Sequence, residues 1–176
     1  MRLARIAAVL ALAVSCGAGA VHAHVALAVQ SAPAGSDFRA VFTVEHGCGN
    51  AATTALRIRL DDRIVSATPM AKKGWTAQVT QATAPPTAAR PPQMPREASW
   101  TGGSIPAHSP DEFTLLVRLP DAPSGTVIYF PVVQECGTTA VRWIEVPLPG
   151  EKPGSLDQPA PFVTLTNGSS PPTAAH

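Results

Sequence analysis

Apolar and polar positions along this chain alternate with a period of two. In "DFRAVFTVE" (37–45) Phe38, Ala40, Phe42 and Val44 share one face, and in "TALRIRL" (54–60) Leu56, Ile58 and Leu60 alternate with Arg57 and Arg59. "EFTLLVRL" (112–119) repeats the pattern with Phe113, Leu115, Val117 and Leu119. That period belongs to strands with one face buried. "HVALAVQ" (24–30) alternates more loosely. "TVIYFPVVQE" (126–135) is more continuously apolar and reads as a strand buried on both faces, with Pro131 marking a bulge or edge. "TTAVRWIEVP" (138–147) reads as its hairpin partner across "CGT". Turn formers fill the gaps, in "SAPAGSD", "TPMAKKGW", "TGGSIPAHSPD" and "DAPSG". No window beyond the first 23 residues sustains a helical apolar period. The pattern predicts an all-β fold, a single β-sandwich domain of immunoglobulin or cupredoxin type.

Two segments fall outside the predicted core. "QATAPPTAARPPQMPRE" (81–97) holds five prolines and reads as a long, poorly packed surface loop. Residues 157–176, rich in Pro, Ser and Thr, read as an extended C-terminal tail with little to bury. The expected organisation is a leader at 1–23, a sandwich domain at 24–156 and a tail at 157–176.

The leader changes the picture most. Arg2 and Arg5, an apolar run from Ile6 and small residues up to "VHA" make the pattern of a secretory signal peptide cut after Ala23. The apolar run is short for a membrane span, and none follows that is long enough. The expectation is a soluble, periplasmic protein. Losing two arginines takes the formal net charge from +1 to about −1, which suggests neither a nucleic-acid nor a polybasic membrane surface. Cys16 leaves with the leader; Cys48 and Cys136 remain, and in an oxidising compartment they read first as a disulfide. Two variants of the leader stay open. "LAVSC" loosely resembles a lipobox, which would make Cys16 a lipidated terminus, and cleavage after Ala20 would begin the protein at Val21.

Candidate chemistry is sparse. No G-x-S-x-G, phosphate-binding glycine loop or C-x-x-C is present. Cleavage after Ala23 would leave His24 first, offering its α-amino group and Nδ1 to one metal ion as a histidine brace. Two nitrogen donors in a tetragonal site favour copper(II). His46 lies two residues before Cys48, and Glu135 immediately before Cys136; a disulfide would hold the segments side by side. Trp143 lies on the following strand, where its ring could pack in the core or stack near a cation beside Glu135. His108 and His176 read as solvent-exposed bystanders, and Trp75 and Trp100 as structural. Met70 and Met94 stand in different loops and do not suggest a copper(I) cup.

Taken in order, "HV" after the leader, "HGCGNAATTALRIRL", "PMAKKGW", "SWTGG", "DEFTLLVRL" and "YFPVVQECGTTAVRWIEVP" resemble the YcnI-like (DUF1775) family of exported copper-binding proteins, from His24 to about Pro149. The resemblance implies a β-sandwich that binds one copper(II) through a brace on the terminal histidine, completed by a carboxylate and a tryptophan. By position His24 matches the brace and Trp143 the tryptophan. The carboxylate is Glu135 or Glu45, with Glu135 preferred and His46 as a further or substitute ligand. Relatives in Gram-positive bacteria often end in a membrane anchor; no such segment is read in residues 1–176, and the expectation is a freely soluble periplasmic protein.

The function these features predict is copper(II) storage or delivery to a membrane transporter or a copper enzyme, by a binding protein and not an enzyme. Two alternatives remain. One is a copper-dependent oxidative enzyme acting on polysaccharide, which the low aromatic content of 5% disfavours. The other is a metal-free interaction module of the envelope.

Overall fold

The computed structural model describes residues 25–83, 93–151 and 155–168, and the described chain is β-structure throughout, without an α-helix. Three sheets form. A four-stranded antiparallel sheet has the order β1 (Val25–Leu27), β3 (Asp37–Val44), β8 (Asp111–Arg118), β5 (Ser66–Pro69). A five-stranded antiparallel sheet has the order β11 (Thr139–Trp143), β10 (Val132–Cys136), β4 (Thr53–Arg59), β7 (Gln93–Ile105), β6 (Thr76–Thr83). A small third sheet joins β2 (Ser31–Pro33), β12 (Phe162–Thr166) and β9 (Val127–Tyr129), with β12 parallel to β2.

The alternating strands behave as their pattern predicts. Phe38, Ala40, Phe42 and Val44 of β3 and Phe113, Leu115 and Val117 of β8 are buried on the inner face of the first sheet. Leu56 and Ile58 of β4 oppose Trp100 and Ala98 of β7 in the second, and all four are completely buried. Aromatic rings bridge the layers. Trp100 and Phe113 lie 5.3 Å apart between centroids, and Phe42 meets the edge of Phe130 at 5.6 Å. Such edge and tilted contacts suit the quadrupoles of the rings. Trp75 packs edge-on against Phe113 at 5.0 Å, under Gly103, where any Cβ would overlap the indole. Trp100 is a core residue and half-buried Trp75 packs against the core, both structural as read from the sequence.

Three expectations are corrected. The apolar run 126–135 is two strands, not one: β9 pairs in the third sheet, the chain breaks at Phe130 and Pro131, and β10 continues in the five-stranded sheet. Proline cannot donate to a ladder, so the change of sheet falls at Pro131. β10 then alternates buried and half-buried positions instead of burying both faces. The supposed loop 81–97 is shorter, because β6 and β7 pair Gln81 with Pro95, Ala82 with Met94 and Thr83 with Gln93. The expected tail contributes β12, which buries Val163 and Leu165, with Ala160 buried just before it. Three apolar residues spaced along a Pro-rich segment suffice once two strands offer edges to pair with. The hairpin from β10 to β11 forms as predicted, with Gly137 at φ +65° in its two-residue turn.

Candidate metal centre

The first structural fact about the site is the cross-link that organises it. Cys48 and Cys136 form a disulfide with Cα atoms 5.9 Å apart. The bridge joins the loop after β3 to the end of β10. Around it the loop is built tightly: Cys48 and Ala51 exchange backbone hydrogen bonds of 3.1 and 3.2 Å across a turn in which Gly49 has φ +63°. The Gly47 amide donates to the Ala107 carbonyl at 2.8 Å. A Cβ on Gly47 would stand 2.0 Å from the Ala51 carbonyl oxygen, so only glycine permits this approach of three backbone segments.

His46 is half-buried in this loop. Its Nδ1 lies 2.7 Å from the Gly47 carbonyl oxygen, a contact only a protonated Nδ1 makes favourably. In the neutral ring that contact leaves the Nε2 lone pair for an acceptor role, the arrangement by which a supporting carbonyl orients a metal-ligating imidazole. Glu45, next to it, is exposed. With Gly49, Asn50 and His108 these two line a surface depression of about 460 Å³.

The disulfide brings 46–48 against 134–136 as predicted, but strand alternation decides which side chain arrives. Gln134 points inward and is 1% exposed. Its Nε2 donates to the His46 carbonyl at 2.7 Å and to Thr53 Oγ1 at 2.8 Å, while its Oε1 accepts from Trp143 Nε1 at 3.4 Å. The buried amide thereby links the His46 loop to the Trp143 ring, which is itself 4% exposed.

Glu135 points the other way. Its Oε1 accepts from Arg57 Nε at 2.6 Å on the outer face of the sheet, where Arg57 also meets Glu97 at 3.4 Å. The hydrogen bond that Arg57 donates to Glu135 is the main reason its guanidinium is held above its ordinary value, against an opposing effect of burial. Trp143 pairs with Val132, an inward position, and Glu135 with Ala140. Glu135 and Trp143 thus occupy opposite faces, and the expectation that Glu135 stands beside His46 and the Trp143 ring is corrected by the two-residue period of the strand. The sequence reading also passed over Gln134; a glutamine at an inward position of an apolar strand was the available signal.

His24 lies outside the described residues, as do the expected leader with Cys16 and His176. Its neighbour Val25 is described, and pairs with Val44 in the antiparallel register Val25–Val44, Ala26–Thr43, Leu27–Phe42. Among the described residues no three or more His, Cys, Asp or Glu side chains stand close enough to hold a metal ion.

A family profile described as "Domain of unknown function (DUF1775)" matches residues 24–165. The chain belongs to the DUF1775 family. Membership agrees with the YcnI-like motifs quoted above, and the match extends through most of β12, which puts that strand inside the domain. Among solved structures, the DUF1775 chain resembles an uncharacterised protein from Nocardia farcinica described as having an immunoglobulin-like fold. The two are 25% identical, with a TM-score of 0.62, and the alignment covers 82% of this chain and 99% of that one. No curated protein matches. Among the described residues no helix is long and apolar enough to cross a membrane.

Proposed function

We propose that this DUF1775 protein is exported to the periplasm, loses residues 1–23 and binds one copper(II) through the α-amino group and Nδ1 of His24. It then stores the ion or delivers it to a membrane transporter or another periplasmic copper protein. The observation that carries this reading is the pairing of Val25 with Val44. Val25 and Val44 stand opposite each other and Glu45 and His46 follow Val44; adjacent Cα atoms are about 3.8 Å apart, so a chain that began one residue before Val25 would begin near that sheet end. That end also carries the buried Gln134–Trp143 pair.

The same observation moves the carboxylate assignment from Glu135 to Glu45. Glu135 is engaged by Arg57 on the far face, whereas exposed Glu45 shares its depression with His46. His46, through Nε2, is the further donor. Amine, imidazole and carboxylate make a donor set that suits copper(II) among first-row ions. Binding without catalysis is the better reading because the tryptophans lie within or against the core, where they offer no stacking platform for a polymer.

The test is native mass spectrometry and copper titration of the protein recovered from a bacterial periplasm. The expected species begins at His24, is two hydrogens light and carries one copper. His24→Ala should weaken binding by more than the roughly 10–100-fold that loss of a merely supporting residue produces. Unchanged affinity in that variant, or a wild type that takes up no copper, would overturn the reading.

A further inference from the structure

We propose that the free edge of β6 is an interface for a second copy of this chain, joined antiparallel to its own β6 across a two-fold axis. The two five-stranded sheets then run on as one. This inference does not depend on the copper-binding reading. An edge strand presents a row of unpaired N–H and C=O groups, and folded proteins blunt such edges with shortness, charge or proline. The other sheet edges among the described residues are blunted. β1, β2 and β9 have three residues each, β5 has four and ends at Pro69, and β11 has five with Arg142 among them. β6 is different. It runs for eight residues, "TAQVTQAT", without a charge or a proline. The shift in its register with β7 places the extra residue, Arg96, on β7, so β6 itself carries no bulge. Among the described residues its backbone bonds only to β7.

The core is unfinished on the same side. Ala98 and Trp100 of β7 are completely buried, whereas their β6 partners Val79 and Ala77 are only half-buried. β5 packs across from β6 in the facing sheet, and the residues that flank it, Val65 and Met70, are 51% and 38% exposed. A second copy fits this edge for two reasons. A two-fold axis perpendicular to the sheet sets like faces together, so inner-facing Ala77 and Val79 meet the inner face of the second strand, and Thr76, Gln78 and Thr80 meet its outer face. A strand without charge also neither repels its own copy nor selects a charged partner, in a chain whose formal net charge is only +1.

The experiment is sedimentation of the purified protein over a concentration series, with hydrogen exchange of the β6 amides read at both ends of the series. The expected wild type is a dimer with a Kd of about 10 μM, as suits a small interface. Its β6 amides that point away from β7 should exchange more slowly in the concentrated sample than in the dilute one. Gln78→Lys with Thr80→Lys, both exposed in the single chain, sets like charges along the seam and should weaken the dimer by more than about tenfold. The dilute variant should melt close to the wild type. A wild type that stays monomeric up to about 1 mM overturns the proposal. A dimer that the double variant forms equally well overturns it too, because the interface then lies elsewhere. Growth beyond two copies does the same, since two-fold pairing uses up the long free edge. The exchange measurement needs no variant, so a double variant that folds poorly leaves the test intact: β6 exchange that is unchanged by concentration overturns the proposal.

Discussion

Strand β10 carries two polar clusters back to back, and they could hardly be more different in setting. On its inner face Gln134 satisfies a carbonyl, a hydroxyl and an indole N–H at 1% exposure. On its outer face Glu135 holds Arg57, with Glu97 on the other side, and each of these side chains keeps about a third of its surface in water. The two clusters are one residue apart in sequence. Charge makes the outer one look more important, yet solvation reverses that ranking. Water can replace a partner on the outer face, and nothing can replace one inside. Functionally the same division holds: the uncharged residue faces the end of the sheet where the proposed copper site lies, and the carboxylate faces away.

Several substitutions would break or sharpen this contrast. The largest effect belongs to the cross-link that brings the inner cluster together. Cys48→Ser with Cys136→Ser opens a loop of 88 residues, and a chain-entropy treatment gives a loss of about 4–5 kcal/mol in denaturant unfolding. Gln134→Ala strips partners from the His46 carbonyl, Thr53 and Trp143 and leaves a cavity, so unfolding should become easier by about 2–4 kcal/mol. A loss no greater than that of a surface substitution would show that the inner cluster is not the stabilising one.

Glu135→Gln should lower stability by less than about 1 kcal/mol and leave copper affinity unchanged. Glu45→Gln should weaken copper binding with little effect on folding. If the titrations come out the other way round, Glu135 is the ligand and the face argument fails. The smallest effect concerns another exterior pair. Hydrogen bonds from Arg63 hold the Asp61 carboxyl below the ordinary 3.8, against the opposing effect of burial. A depressed acid stabilises the fold fully above its unfolded value and loses that contribution as pH falls through its folded one. Below about pH 4, Asp61→Asn should therefore unfold with a shallower pH dependence than the wild type, read by thermal melts across pH 2–5.

Much of the fold was legible because burial imposes a period. Phe38 to Val44 and Phe113 to Val117 could satisfy one apolar side only as strands, and both lie in strands with that side inward. The disulfide was legible from cysteine parity and from the oxidising compartment that the first 23 residues suggest. What failed did so for identifiable reasons. Pro131 divides an apolar run between two sheets, and no local pattern says which sheet each half joins. β12 was hidden because Val163 and Leu165 gain their burial from partners about 35 and 130 residues away in sequence.

The site divides in the same way. The residue types assigned to the proposed centre, His24, His46 beside Cys48 and Trp143 after "QECG", were all visible in the linear chain. Their grouping was not. A shift of one residue moves a strand side chain from one face to the other, so choosing between Gln134 and Glu135 required the register with β4 and β11. The link from His46 to His108 required the backbone contact at Gly47, which depends on how two loops from different strands meet. The sequence by itself determined which segments are strands and which chemistry the chain can offer, because periodicity and side-chain type are local properties. Only the tertiary structure decided which of those groups share a face and which stand back to back, because facing depends on pairing between segments that the chain keeps far apart.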